Sequence, residues 1–143
     1  MAVVIDDHLL LDLILGTASP AVLEAAGSDA VFTTGCWYYR LARAAVASTG
    51  AGSLSGRLEA LGPRARDAAL ESIRRLPDSV GLLSLRTVVP VMAALRVRRP
   101  LNMLNAEALA VALVAGARLR VAIGSELLQD GARDLEVDYQ VLS

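Results

Sequence analysis

The chain has no lysine: its 14 basic residues are all arginine, set against 15 acidic ones for a formal net charge of -1. That balance supplies no overall field to draw in nucleic acid. The exclusive use of arginine reads mainly as a bias toward GC-rich codons, although arginine is also the better fork for phosphate. A single cysteine, Cys36, excludes an internal disulfide and a cysteine-rich zinc site. One histidine, His8, without an identified nucleophile or second ligand, is a poor basis for catalysis. Aromatic residues make up only 3% of a chain that is 55% hydrophobic, so alanine, valine and leucine must fill the core. Small aliphatics on short helices suit a layered α/β domain better than a β-sandwich. Long uninterrupted apolar runs are missing too. Asp6, Asp7 and Asp12 break the first such run, no basic residue precedes it, and Glu107 lies inside the other, "LNAEALAVALVAGA". Neither reads as a signal peptide or membrane span, and a cytoplasmic location is expected. At 143 residues the expectation is a single domain, 1–143, large enough for one core.

What is present is an alternation of strands and helices. "AVVI" (2–5) is apolar and β-branched, as a strand covered on both faces should be. "DDHLLLDLILG" reads as a helix with Asp6 or Asp7 at its start and Gly16 as its stop. Ser19-Pro20 opens a second short helix ending at Gly27. "AVFTT" (30–34) is a strand and "CWYYRLARAAVAS" a longer helix. "TGAGSLSG" (49–56) is flexible in character, lacks the lysine of a phosphate-binding loop and follows a helix. Helical segments are expected around 56–61 and 63–76, then a strand in "VGLLSL" (80–85). "TVVPVMAALRVRR" reads as a helix that Pro100 ends, irregular near Pro90. "NAEALAVALVAGA" is a helix, "RLRVAI" a strand, "SELLQDGARDL" a short helix and "VDYQVL" a last strand. Such alternation predicts a mostly parallel sheet with helices on both faces.

Three stretches in this order, "VVIDDHLLLDLIL", "VFTTGCWYYRLARAA" and "LNAEALAVALVAGARLRVAIGSELL", resemble the PIN domain, the fold of many small ribonucleases that include toxins of bacterial toxin–antitoxin pairs. The resemblance implies a PIN-like three-layer α/β/α sandwich. It also implies a site of three or four carboxylates at the carboxyl end of the sheet, holding Mg²⁺ or Mn²⁺ to activate water against a phosphodiester. Asp6 matches the first family acid. Arg40 stands where the family has a glutamate, and Asn105 where a third acid opens its helix. The fourth position falls at Ile123, Ser125 or Glu126, with Ser125 the best fit to the following "ELL". Only one acid of four is retained, and a guanidinium replaces another, so Asp6 would hold a metal weakly if at all. Arg40 would instead pair with Asp6 in the metal's place. The reading that follows is a divergent, catalytically impaired PIN protein that binds a protein or RNA partner and needs no cofactor. The alternative is an active Mg- or Mn-dependent ribonuclease of the toxin–antitoxin type, in which Glu107 or Glu126 helps Asp6. Glu107 faces about 200° away from Asn105 on a helix of 3.6 residues per turn. Partners consistent with the resemblance are an antitoxin-like protein or RNA, and the apolar chain with its alanine-rich helices is compatible with pairing to a second copy of itself. A small-molecule or nucleotide-binding regulator ranks below both.

Other residues have plainer readings. Asp6 and Asp7 also suit a helix N-cap, and Asp12 is expected to face solvent. Cys36 reads as a buried, inert thiol rather than one with a lowered pKa. Trp37, Tyr38 and Tyr39 point in different directions on a helix and suit packing better than a base-stacking platform. Arg64, Arg66, Arg74 and Arg75 have Asp67 and Glu71 at hand for helical salt bridges. Arg96, Arg98 and Arg99 have no acidic neighbour in sequence and are the candidates for contact with phosphate.

Overall fold

A computed structural model of the chain describes residues 1–47 and 52–142. The elements in chain order are β1 (Ala2–Ile5), α1 (Asp7–Leu15), α2 (Pro20–Ser28), β2 (Ala30–Phe32), α3 (Gly35–Val46), α4 (Ser53–Glu59) and α5 (Pro63–Arg74). There follow β3 (Val80–Gly81), α6 (Leu85–Arg98), α7 (Met103–Ala115), β4 (Arg118–Val121), α8 (Glu126–Asp134) and β5 (Tyr139–Val141). Among the described residues five strands form one sheet in the order β3-β2-β1-β4-β5, and every neighbouring pair is parallel. Parallel neighbours need helical crossovers, which is why the chain spends most of its length on helices.

β1 lies at the centre, buried along its whole length. Its register places Val3 beside Val31 and Arg118, and Val4 beside Phe32 and Leu119. Residues paired in this way point to the same face. Val3, Ile5 and Val31 pack with Leu10 and Leu11 of α1, Val22 of α2, Leu41 of α3, Leu58 of α4 and Ile73 of α5. On the opposite face Val4, Leu119 and Val121 pack with Val88 and Leu95 of α6, Leu109 of α7 and Leu128 of α8. The architecture is a three-layer α/β/α sandwich, with each buried leucine or valine contributing roughly 1.5–3 kcal/mol of hydrophobic stabilisation. Alanine makes the second layer possible: Ala106, Ala108, Ala110 and Ala112 are all buried, so α7 fits between the sheet and its neighbouring helices.

Local signals set the boundaries of many elements. Asp6 caps α1 and Gly16 closes it at φ +71°, while Ser19 caps α2 ahead of Pro20. Two apolar runs are shorter as strands than they read. β2 stops at Phe32, where Thr33 leaves the sheet edge and donates its hydroxyl to the Ile5 carbonyl at 2.9 Å. β3 keeps only Val80 and Gly81, because β2 offers no partner beyond, and Leu82 emerges exposed. Of the "TGAGSLSG" stretch, residues 49–51 lie outside the described residues, and Ser53 to Gly56 belong to α4. α6 runs through Pro90 and ends two residues before Pro100.

Candidate functional site

The strand order reverses direction between β1 and β4, and in open parallel sheets the carboxyl ends at such a reversal frame a crevice. Helices α1, α3 and α8 start at this edge because they leave β1, β2 and β4; α7 starts there because it runs back to enter β4. Their N-termini bring unpaired backbone donors and the positive ends of four helix dipoles to one side.

Asp6 sits at the end of β1 and is 3% exposed. Its Oδ1 accepts from the Leu9 N–H at 2.9 Å, the cap of α1. Its Oδ2 reaches across the reversal point to the residues just after β4, accepting from the backbone N–H of Ala122 at 2.8 Å and of Ile123 at 3.4 Å. Burial pushes the Asp6 carboxyl above its ordinary pKa of 3.8; the Leu9 and Ala122 amides pull back, and the neighbouring Asp7 charge adds to the rise. One carboxylate thus ties the first strand to the end of the fourth.

Asp7 is buried as well, and its Oδ1 accepts from the His8 N–H at 2.9 Å. The Nε of half-exposed Arg40, on α3, lies 3.2 Å from Asp7 Oδ2. The pair is held by charge rather than by an aligned hydrogen bond, since that oxygen has no hydrogen-bond partner among the described residues. Arg40 therefore pairs with Asp7, not with Asp6, whose two oxygens are taken up by backbone amides.

Glu107 has an unexpected position. It is 4% exposed, and its Oε1 accepts from the Cys36 N–H at 2.6 Å. Instead of serving only its own helix, it caps α3 together with Thr34, whose hydroxyl accepts from Trp37 N–H at 3.1 Å. Gly35 is where the carboxylate comes closest: a Cβ there would stand 3.1 Å from Glu107 Oε2. The Cys36 thiol is half-exposed rather than buried, and its pKa is pushed up to about 11 by burial, then by Glu107. Asn105 is also buried, and its backbone N–H donates to the Asn102 side-chain oxygen at 2.7 Å in the cap of α7. Ser125 caps α8, Glu126 is exposed in that helix's first turn, and Ile123 is 58% exposed.

No protein-family model and no curated protein matches the chain. Among solved structures it is similar to VapBC-1 from nontypeable Haemophilus influenzae, with a TM-score of 0.54, 14% identity, and coverage of 99% of this chain and 98% of that one. The fold is PIN-like.

In a PIN-like frame these side chains do not suit a divalent cation. A hard ion needs several oxygens free to ligate it. The Asp6 oxygens already accept three backbone N–H groups, Asp7 faces Arg40, and Glu107 is spent on α3. Among the described residues no group of three or more His, Cys, Asp or Glu side chains is placed to hold a metal.

The remaining candidates are scattered. His8 is buried at the start of α1, with Nε2 3.2 Å from Ser53 Oγ and Nδ1 3.4 Å from Arg57 Nη1. A guanidinium only donates, so Nδ1 must be the acceptor and Nε2 carries the proton toward Ser53. This tautomer cannot act as a base toward that hydroxyl. Arg57 also pairs with Asp12, which is half-buried rather than solvent-facing, so the cluster fastens α4 to α1. Trp37 is in the core, Tyr38 donates to the Ile73 carbonyl at 2.7 Å, and Tyr39 is 64% exposed, so the three form no platform. Arg74 and Arg75 pair with Glu71. The 96–99 group is dispersed: Arg99 pairs with Asp134 of α8, Arg96 donates to the Leu101 carbonyl, and Arg98 stays exposed. Residues missed by sequence reasoning are Asp7 as the partner of Arg40, the Ala122 and Ile123 amides, and Gly35. Gly35 is visible beside Thr34, but its reason lies in Glu107, which bonds the next residue, Cys36, across 71 residues.

Proposed function

We propose that the chain is a PIN-like protein that works by binding rather than by metal-dependent cleavage, and that its partner is a protein. The observation that carries this reading is the Asp6 carboxylate, engaged by Leu9, Ala122 and Ile123 backbone amides beside an Arg40–Asp7 ion pair. What would be a cradle for metal is instead a junction whose carboxylates face backbone amides and a guanidinium. Two further features support a protein partner over RNA. Leu82 and Ile123, which follow β3 and β4, and Tyr39 in α3 expose apolar surface at this side of the sheet. Many arginines are already paired with acids, in a chain with a net charge of -1. The likeness to VapBC-1 and the resemblance to toxin–antitoxin PIN proteins make an antitoxin-like partner the natural candidate, with a second copy of the chain as the other.

The test is calorimetric titration with Mn²⁺ of the wild type beside an Arg40→Glu/Asn105→Asp double variant. The wild type should show no saturable binding, and the double variant should gain it. Micromolar binding by the wild type, together with EDTA-sensitive RNA cleavage lost in Asp6→Asn, would reverse the reading in favour of an active ribonuclease.

A further inference from the structure

Helices α3 and α5 leave a trough between them of about 290 Å³. Sequence explains the space. α3 lines it with Ala42 and Ala45, whose short side chains do not fill the gap to Leu70 and Ile73 of α5. Along α3 the lining runs from Tyr38 to Val46. The Tyr38 hydroxyl is spent on the Ile73 carbonyl at 2.7 Å, which pins the two helices together and leaves its ring as part of the wall. Val46 is 81% exposed. Among the described residues the one charged side chain in the lining is Arg74.

The charge around this trough is one-sided. Residues 35–75, from the start of α3 to the end cap of α5, carry seven arginines and three acids; the rest of the chain carries seven arginines and twelve acids. Arg40 and Arg57 are paired with Asp7 and Asp12 of α1, and Arg74 and Arg75 share the one carboxylate of Glu71. Against Arg43, Arg64 and Arg66 the segment then has only Glu59 and Asp67. An excess of guanidinium is left at the edges of an apolar trough. Arg43 is exposed and stands between Tyr39 and Val46 on one stripe of α3, at the i, i+4, i+7 spacing of a helix face. Tyr39 and Val46 are both exposed, so that stripe continues the apolar surface past the trough.

We propose that this trough docks an acidic amphipathic helix of a protein partner, its apolar stripe entering between α3 and α5 and its flanking carboxylates meeting Arg43 and Arg74. The walls are side chains of two helices whose backbone groups bond within each helix, so an extended segment would find nothing there for its own backbone. A helix brings its backbone bonds with it and presents apolar residues at i, i+3 or i+4, and i+7. The excess of arginine selects carboxylates on the flanks and repels a basic helix. RNA would set its phosphates against alanine, valine and leucine. The trough shares no lining residue with the junction around Asp6, and the inference takes from the reading above only the premise of a protein partner.

Amide-proton NMR of the full chain tests this, with a peptide of about 15 residues of alanine, glutamate and leucine, its leucines on one helical face. The peptide should shift the Ala42, Ala45, Val46 and Leu70 amides saturably, and less strongly at high salt. The same peptide with lysine in place of glutamate should not. Val46→Asp, at an exposed position that leaves the core intact, should weaken binding about fivefold, as loss of an interface anchor does. Arg43→Glu, also exposed, should weaken it about threefold. No saturable shift, equal binding of the lysine peptide, or unchanged binding by Val46→Asp would overturn the proposal. So would the same amides shifting with oligouridylate in preference to the peptide, which would give the trough to RNA, or shifting on raising the protein's own concentration, which would give it to a second copy. Mn²⁺ binding by the wild type would overturn the metal-free reading and leave this result standing, so the two can fail separately.

Discussion

The carboxyl edge of the sheet and the β4–β5 end of its α2-covered face treat buried charge in opposite ways. At the edge, buried carboxylates are answered chiefly by backbone: Asp6 by Leu9, Ala122 and Ile123, and Glu107 by Cys36. On the face, arginines are answered by carboxylates, Arg118 by Asp29 and Arg120 by Asp138. Backbone donors at helix starts are fixed in place by the fold, whereas long side chains must be ordered to meet one another. The edge charges are therefore structural joints whose loss leaves buried amides orphaned, and the face pairs are adjustable.

The comparison can be tested in order of size. Asp6→Ala removes the α1 cap and the acceptor for the Ala122 and Ile123 amides just after β4 together, and should cost about 3 kcal/mol in urea unfolding. An effect below about 1 kcal/mol would mean the junction is not the joint described. Glu107→Ala should follow at about 2 kcal/mol, with Glu107→Gln recovering half because its carbonyl still accepts from Cys36. Equal losses in the two variants would place the contribution in packing rather than in the cap. Arg40→Ala should cost about 1 kcal/mol by leaving Asp7 without its counter-charge, the half-exposed arginine keeping the value small. High salt should shrink that difference, and indifference to salt would argue against an ion pair.

The smallest effect is one of sign. Burial raises the folded pKa of Asp6, so the native state keeps a proton where the unfolded chain has lost it. Its contribution to stability rises as pH falls from the raised value toward 3.8. The hydrogen bond from Arg120 lowers the pKa of Asp138, so that contribution is present above 3.8 and is lost as pH falls through the lowered value. Unfolding midpoints across acid pH should show wild type gaining on Asp6→Asn while its lead over Asp138→Asn shrinks. The same trend in both would remove the distinction.

What sequence made legible was the order of elements, the layered parallel fold and several local boundaries. Asp6 before a leucine run with Gly16 behind it, and Ser19 before Pro20, are caps written within one turn of the helices they bound. The strand ends were not legible in the same way. Val80–Gly81 stops short because β2 stops at Phe32, and nothing within "VGLLSL" records that. The site was legible as a set of positions but not as a set of partners. Asp6, Arg40, Asn105 and Glu107 were identified, yet Arg40 turned to Asp7 because amides just after β4 had claimed Asp6, the Ala122 contact spanning 116 residues. Likewise "RLRVAI" announces a strand, but not that both its arginines lie beneath α2, because Asp29 and Asp138 are far from them or beyond the next helix.

The central place of β1 has a kinetic consequence. Its register partner Val31 follows soon after it, but its other neighbour, Arg118 opposite Val3, is made only after most of the remaining chain. During synthesis one edge of the most apolar strand waits unpaired while the intervening helices emerge. Contacts of such long range slow the search for the native state. An unpaired apolar edge held open for that interval is the segment most exposed to wrong pairing with another nascent chain.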